Sequence, residues 1–196
     1  MVRAFIAINL PEGERARLWE ALSILRDQEL PVRWTVPDAI HLTVKFLGDV
    51  NEKRVPELRR RLCSVAERYP PFALSLGGLG AFPDVRHARI WWIGVRRIAV
   101  LSALHGALEA SLDEAGFPRD DRPFSPHLTV GREKGDGRAA PDRRIREALT
   151  HVAYASTIDV REVDLMRSHL GGGAPRYERI VQAPLGPPGT TLELTS

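Results

Sequence analysis

One tetrapeptide occurs twice in this chain: His-Leu-Thr-Val stands at His41–Val44 and again at His127–Val130, 86 positions later. With six histidines and eight threonines among 196 residues, roughly 0.2 chance copies of His-x-Thr are expected. Two copies with the same intervening and following residues therefore point to a duplicated structural unit. On a strand, successive side chains alternate between faces, so His41 and Thr43 share one face while Leu42 and Val44 share the other. The apolar pair can anchor each strand in a core and leave imidazole and hydroxyl free. Two such strands, one in each of two related lobes, would converge two imidazoles and two hydroxyls on one cleft.

The rest of the chain reads as strands alternating with helices. Arg3–Asn9 is β-branched and aromatic enough for a strand, and Pro11 sits where a helix accepts it in its first turn. Leu18, Leu22 and Leu25 mark the buried stripe of that helix. Ala39–Leu47 reads as a strand stopping at Gly48-Asp49, with Asn51 capping a helix buried through Leu58, Leu62 and Val65. Phe72–Leu79 alternates and then breaks at glycines, and Ala88–Val95 is a further strand. Leu101, Leu104, Leu108 and Leu112 define a helix over Ala99–Ala115, stopped by Gly116. In the second half, Pro126–Arg132 is a strand and Gly131–Asp142 holds a charged, glycine-rich loop. Arg143–Thr150 reads as a short helix, and Ile158–Leu165 and Tyr177–Ala183 as closing strands around a Gly171–Gly173 turn. The expected domain runs over 1–183, followed by a flexible tail over 184–196.

Composition narrows the classes. Apolar residues at 43% allow an ordinary core, and the longest apolar runs, such as Ile90–Val95, are too short to span a bilayer. The opening segment reads as a buried strand, not a secretion signal. Cys63 is the one cysteine, which excludes an internal disulfide and a thiolate metal cluster, so a cytoplasmic protein is the expectation. Twenty-eight basic against twenty-five acidic residues give +3. That balance fits a phosphate-bearing ligand without demanding one.

The chemistry lies in the duplicated pair. Threonine hydroxyls can donate hydrogen bonds to phosphate oxygens. One neutral and one protonated imidazole supply a general base and a general acid near neutral pH. This is equipment for displacement at phosphorus without a metal or other cofactor. A zinc site fits worse: each motif offers one ligand, and no cysteine cluster or His-x-x-x-His helix is present. His87, His105, His151 and His169 have no repeated context, and His105 reads as a packed or surface histidine. Phe46 and Phe124 flank the motifs and could stack on bases. Trp34, Trp91 and Trp92 read as core, and Lys45 as turned away from His41.

With these blocks in view, the chain resembles the RNA 2′,3′-cyclic phosphodiesterases, also called bacterial and archaeal 2′-5′ RNA ligases, of the two-histidine phosphoesterase superfamily. The resemblance covers Arg3-Ala-Phe-Ile-Ala-Ile, Trp34, His41 to Gly48, Gly78 to Pro83, Arg89-Ile-Trp-Trp92, Phe124 to Arg132, Leu165-Met-Arg-Ser168 and Tyr177. The family usually carries Leu or Ile where Val44 and Val130 stand. The resemblance implies a bilobal α+β fold, two pseudo-symmetric lobes with antiparallel-rich sheets and a cleft between them. It further implies that His127 takes the proton from attacking water, that His41 protonates the departing 3′ oxygen, and that a 2′-phosphomonoester results. Thr43, Thr129 and, five positions after His127, Arg132 would hold the phosphate. The implied partners are RNA ends, tRNA fragments among them, met by a monomer away from any membrane. Small cyclic nucleotides, ADP-ribose cyclic phosphate or 2′-5′ oligonucleotides are alternative substrates for the same chemistry. An RNA-end-binding module is the alternative from another class.

Overall fold

Branched and aromatic runs become strands where the alternation requires it. β1 (Val2–Asn9) leads into α1 (Glu12–Ala21) and the short α2 (Ser23–Arg26); β2 (Val32–Trp34) precedes β3 (His41–Val50), which carries the first motif. Then come α3 (Val55–Ala66), β4 (Phe72–Phe82), β5 (Ile90–Val95), α4 (Ala99–Asp113) and β6 (His127–Glu133) with the second motif. β7 (Ala155–Val160), β8 (Glu162–His169) and β9 (Arg176–Pro184) close the described chain. This computed structural model describes residues 1–28, 30–85, 87–134, 152–169 and 175–187. The expected helix 143–150, the turn at 171–173, most of the loop 131–142 and the tail from 188 lie outside them. Within the described residues, Leu185 and Gly186 stay tied to the body through the carbonyls of Arg161 and Tyr69, both at 2.8 Å.

The helical stripes read from leucine spacing are all buried, from Leu18, Leu22 and Leu25 to Leu101, Leu104, Leu108 and Leu112. Asn51 accepts from the Lys53 N–H at 3.0 Å, capping the turn that opens α3. α4 ends as Gly116 dictates, with the Phe117 N–H returning to the Leu112 carbonyl at 2.9 Å. No helix among the described residues is long and apolar enough to cross a membrane.

The strands form one sheet in the order β7-β4-β5-β6-β3-β1-β8-β9, with β2 added against β6. Every recorded pairing is antiparallel. One lobe is β9-β8-β1-β3 and the other β6-β5-β4-β7, and they meet where Leu42 of β3 pairs with Leu128 of β6. Both leucines are sealed in the core, at 1% and 0% exposure. Truncating either to Ala would cost about 2–5 kcal/mol at the seam between the two halves. The bilobal α+β expectation is therefore met.

Each motif strand kinks at the same place. In β3, Ile6 pairs Lys45 and Ala7 pairs Thr43, so Val44 is the extra residue of a bulge. In β6, Trp91 pairs Gly131 and Trp92 pairs Thr129, so Val130 is its counterpart. A bulge reverses the alternation beyond it. Strict alternation would return Lys45 to the His41 face; the bulge sends it into the interior instead. There its ammonium meets Glu109 of α4 and the Pro118 carbonyl, both at 2.8 Å, with the two charged side chains almost fully buried. The same reversal brings Phe46 and Arg132, the sixth residue of each repeat, onto the histidine face.

Several strand readings are corrected. β3 and β4 do not stop at their glycines: they run on through Gly48 and Gly78, which take positive φ values of 69° and 74° inside irregular registers. Only glycine enters that region without strain, so the glycines bend strands instead of ending them. The single strand read over Ile158–Leu165 is two, divided at Arg161. β7 pairs β4 at one edge while β8 pairs β1 in the other lobe. β2 is an addition to the strands read from the residues; it crosses beside Gly131, where a Cβ would come within 2.7 Å of Val32. Trp91 is core as read, and Trp34 packs against the core, but Trp92 is half-buried on the cleft face.

The Lys45–Glu109 pair yields a stability test. Glu109→Ala strands a buried ammonium and is expected to cost about 3–5 kcal/mol in urea unfolding. The doubly apolar variant Lys45→Met, Glu109→Leu should recover most of that loss. Equal destabilisation in single and double variants would show that the pair does not act as a unit.

Candidate active site

Extending the Leu42–Leu128 register by one residue each way sets His41 opposite Thr129 and Thr43 opposite His127. All four project to the face opposite the leucines, and all four are half-buried while their apolar partners are sealed. The result is a two-fold arrangement: by this register, imidazole and hydroxyl of one strand stand across from hydroxyl and imidazole of the other. The four motif residues singled out from the sequence are thereby brought together.

Each imidazole is held from behind. His127 Nδ1 lies 2.7 Å from the Ser125 carbonyl oxygen, two residues earlier. A carbonyl only accepts, so Nδ1 carries the proton and Nε2 is left for chemistry. His41 is likewise hydrogen-bonded to the backbone of Ala39, two residues before it. Its surroundings are drier: the ring stacks on Phe5 at 4.8 Å and meets Tyr177 edge-on at 5.0 Å. Burial dominates, pushing the His41 pKa down from 6.5 to about 4, against a smaller upward effect of the Ala39 hydrogen bond. A pKa that low favours the neutral imidazole at pH 7.

The flanks of the two histidines differ. Beside His41 the register places Asn9. Its amide donates to the fully buried Asp164 at 2.6 Å and contacts the Met166 sulfur at 3.4 Å. Burial pushes the Asp164 carboxyl up, while the Asn9 hydrogen bond and the Arg179 guanidinium at 3.7 Å oppose that. Beside His127 the register places Gly94. A pocket of about 290 Å³ borders it, lined by Phe82, Trp92, Gly94, Val95, Arg97, Ser125, Pro126 and His127. Phe82 meets His127 edge-on at 5.0 Å, and Trp92 lies 6.5 Å from it.

Of the remaining sequence candidates, Phe46 is 69% exposed and lies 6.2 Å from Phe5, next to the ring that stacks on His41. Arg132 is exposed on β6, and its charge reaches Tyr177, where it lowers a hydroxyl pKa that burial raises. Phe124 is placed otherwise: its ring stacks flat on His105 of α4 at 4.0 Å, and its carbonyl accepts from Arg97. His105 is thus a packed histidine, as read. Asn9, Asp164, Phe82 and Trp92 join the site without being among the sequence candidates. For Trp92 a signal exists, since alternation with Trp91, Ile93 and Val95 puts it on the opposite face. For Asn9 nothing in the sequence marks its place beside His41. No three His, Cys, Asp or Glu side chains gather as a metal site among the described residues.

Known proteins resemble this chain along most of its length. Residues 11–172 match the sequence profile of the 2′-5′ RNA ligase superfamily. The chain is 35% identical over 176 residues to the RNA 2′,3′-cyclic phosphodiesterase of Methanothermobacter thermautotrophicus, covering 90% of this chain and 95% of that one. Among solved structures, TT0787 of Thermus thermophilus superposes with a TM-score of 0.79 at 28% identity, over 95% of this chain and 99% of that one. The E. coli protein LigT complexed with 3′-AMP gives 0.71 at 25% identity, over 94% and 98%.

The His41 environment is directly testable. A ¹⁵N-edited imidazole titration of the unliganded protein should place His41 near pH 4, and inorganic phosphate should move it upward. A value near the ordinary 6.5 would contradict the dry, aromatic setting described.

Proposed function

The chain belongs to the 2′-5′ RNA ligase superfamily, and from that premise we propose that it hydrolyses 2′,3′-cyclic phosphate ends of RNA to 2′-phosphomonoesters. The observation that carries this reading is the Leu42–Leu128 pair, whose register puts two imidazoles and two hydroxyls on one face of the seam. The relatives named RNA 2′,3′-cyclic phosphodiesterase support the reaction class, and LigT's complex with 3′-AMP supports a nucleotide ligand.

In this reading the cyclic phosphate sits between the strands, with Thr43 and Thr129 donating hydroxyl hydrogens to its non-bridging oxygens. Arg132 adds charge stabilisation as the pentacoordinate state forms. His127, its Nδ1 proton held by Ser125, takes a proton from water through Nε2. The water oxygen bonds to phosphorus, the P–O3′ bond breaks, and His41 gives its proton to O3′. Burial favours neutral His41, so the donor role depends on the ligand: an anionic phosphate beside the imidazole favours its charged form. Phe5 and Tyr177 fix the ring, and Phe46 offers an exposed face to the substrate's base. The two imidazoles supply every proton transfer, so the reaction runs without a metal.

Two outcomes check the reading. With EDTA present, a short oligonucleotide ending in 2′,3′-cyclic phosphate should be converted to the 2′-phosphate, identified by mass and by phosphatase sensitivity. Thr43→Val and Thr129→Val should each slow that conversion about 10²–10³-fold, as for removal of one oxyanion donor. The pH profile of kcat/KM, which reports the free enzyme, should carry a limb near pH 4 that lies higher in kcat. A 3′-phosphate product, or a requirement for added metal, would overturn the assignment.

A further inference from the structure

The two motif imidazoles are each held by the backbone two residues upstream, but the two backbones are supported differently. Ala39, behind His41, belongs to a one-turn 3₁₀ helix over Pro37–Ala39. That turn closes on its own bonds, from the Ala39 N–H to Val36 at 2.9 Å and from the Ile40 N–H to Pro37 at 3.1 Å. Ser125, behind His127, stands in a stretch from Phe117 to Pro126 that contains no helix and no strand. Among the described residues no backbone bond closes a turn within that stretch. The Ser125 carbonyl is therefore placed by what the stretch packs and bonds against.

Those contacts converge on one face of α4. The Phe124 ring lies flat on His105, with centroids 4.0 Å apart and planes 9° from parallel. Ser125 follows directly, and its carbonyl oxygen meets His127 Nδ1 at 2.7 Å. One turn along α4, Glu109 accepts from the Asp120 N–H at 3.3 Å and from Lys45 Nζ at 2.8 Å. Lys45 also donates to the Pro118 carbonyl at 2.8 Å. The second Glu109 oxygen is buried, has no hydrogen-bond partner among the described residues and faces His105 Nε2 at 3.6 Å. Residues four apart on a helix share a face, so His105 and Glu109 hold the stretch at two points. Lys45 belongs to β3, four residues after His41. Contacts thus run without a break from the first motif strand through Glu109, His105 and Phe124 to the carbonyl behind His127.

A flat stack gives this contact direction, because it fixes the plane of the Phe124 ring and with it the start of the peptide that carries Ser125. Burial pushes the His105 pKa down; Glu109 and Asp120 oppose that, while Lys45 and Arg97 add to it. A lowered pKa favours the uncharged ring at neutral pH. The tautomer of a neutral histidine is set by the bond its other nitrogen makes. For Nε2 of His127 to accept a proton, Nδ1 must carry one, and the Ser125 carbonyl is what holds it there.

We propose that His105 is a positioning residue for His127: its stack with Phe124 sets the Ser125 carbonyl that keeps the Nδ1 proton in place and Nε2 free for the cleft. The inference rests on the proton-acceptor role given to His127 under the proposed function. His105 acts wholly through Phe124 and Ser125 and touches neither phosphate nor water. Helix α4 thereby has a part in the reaction that the burial of its leucine stripe does not account for.

The test reads His127 itself. In alkaline buffer, without ligand, its two ring ¹⁵N shifts should be those of a single Nδ1–H tautomer. In His105→Ala they should draw together as the second tautomer becomes populated. There kcat on an oligonucleotide cyclic phosphate should fall roughly 10–100-fold with KM little changed, the scale of a small misplacement of a reacting group. His105→Phe keeps a flat ring against Phe124 and should restore both the spectrum and kcat. Phe124→Leu removes the other ring and carries the same comparison should His105→Ala fail to fold. Lost packing alone would lower the urea midpoint and leave the tautomer and kcat of the folded protein unchanged, a result that overturns the inference. So does a His105→Phe variant as impaired as His105→Ala, because the flat ring would then not be what acts. The spectra need no substrate. If the unmutated protein hydrolyses no cyclic phosphate, the proposed function falls, and the tautomer still decides whether the stack holds His127.

Discussion

Two leucines facing each other across antiparallel strands hold this molecule's halves in register. Leu42 and Leu128 form the pair by which β3 meets β6, and both are removed from water. Because the side-chain period is two, sealing these leucines forces His41, Thr43, His127 and Thr129 onto the opposite face together. A slip of one residue would bury the imidazoles and expose the apolar row, which the core forbids. The bulge that follows each motif adds a second consequence. It turns Lys45 inward to Glu109 and lifts Phe46 and Arg132 toward the cleft, so the repeated backbone irregularity selects which flanking residues can reach a ligand.

A two-fold frame alone cannot tell an acid from a base, and the surroundings break the equivalence. His41 is packed between Phe5 and Tyr177 in a dry setting that pushes its pKa down. His127 faces Phe82 and an open pocket. Lys45 in one repeat corresponds to Gly131 in the other, where β2 leaves no room for a side chain. Asn9 in one lobe corresponds to Gly94 in the other. These exchanges at matched positions give His41 a polar neighbour and His127 a pocket.

Much of this is legible from the residues. The repeated tetrapeptide locates the four central side chains, and leucine spacing locates every buried helix stripe that the structure describes. The differences share a cause: alternation and glycine carry a local meaning that tertiary pairing overrides. Gly48 and Gly78 read locally as stops, yet the neighbouring strands carry β3 and β4 through them. Lys45 is turned away from His41 as read, but through a bulge that nothing local announces, because a bulge is a property of two strands. The run over Ile158–Leu165 reads as one apolar strand, and only the sheet order shows the chain leaving one lobe for the other at Arg161. Trp92 reads as core on bulk alone, although its parity with Ile90 and Gly94 points to the cleft. The pocket cannot be read from the residues at all, since its lining comes together from β4, β5 and the segment before β6.

The central claim is that two repeats act as one acid–base unit, and a cycle of His41→Ala, His127→Ala and the double variant measures it most directly. Single-turnover rates on a cyclic phosphate oligonucleotide should fall about 10²–10⁴-fold in each single variant. The double variant should be scarcely slower than the worse single one, as for residues that work only together. Losses that simply multiply, or a single variant that keeps full activity, would contradict the account.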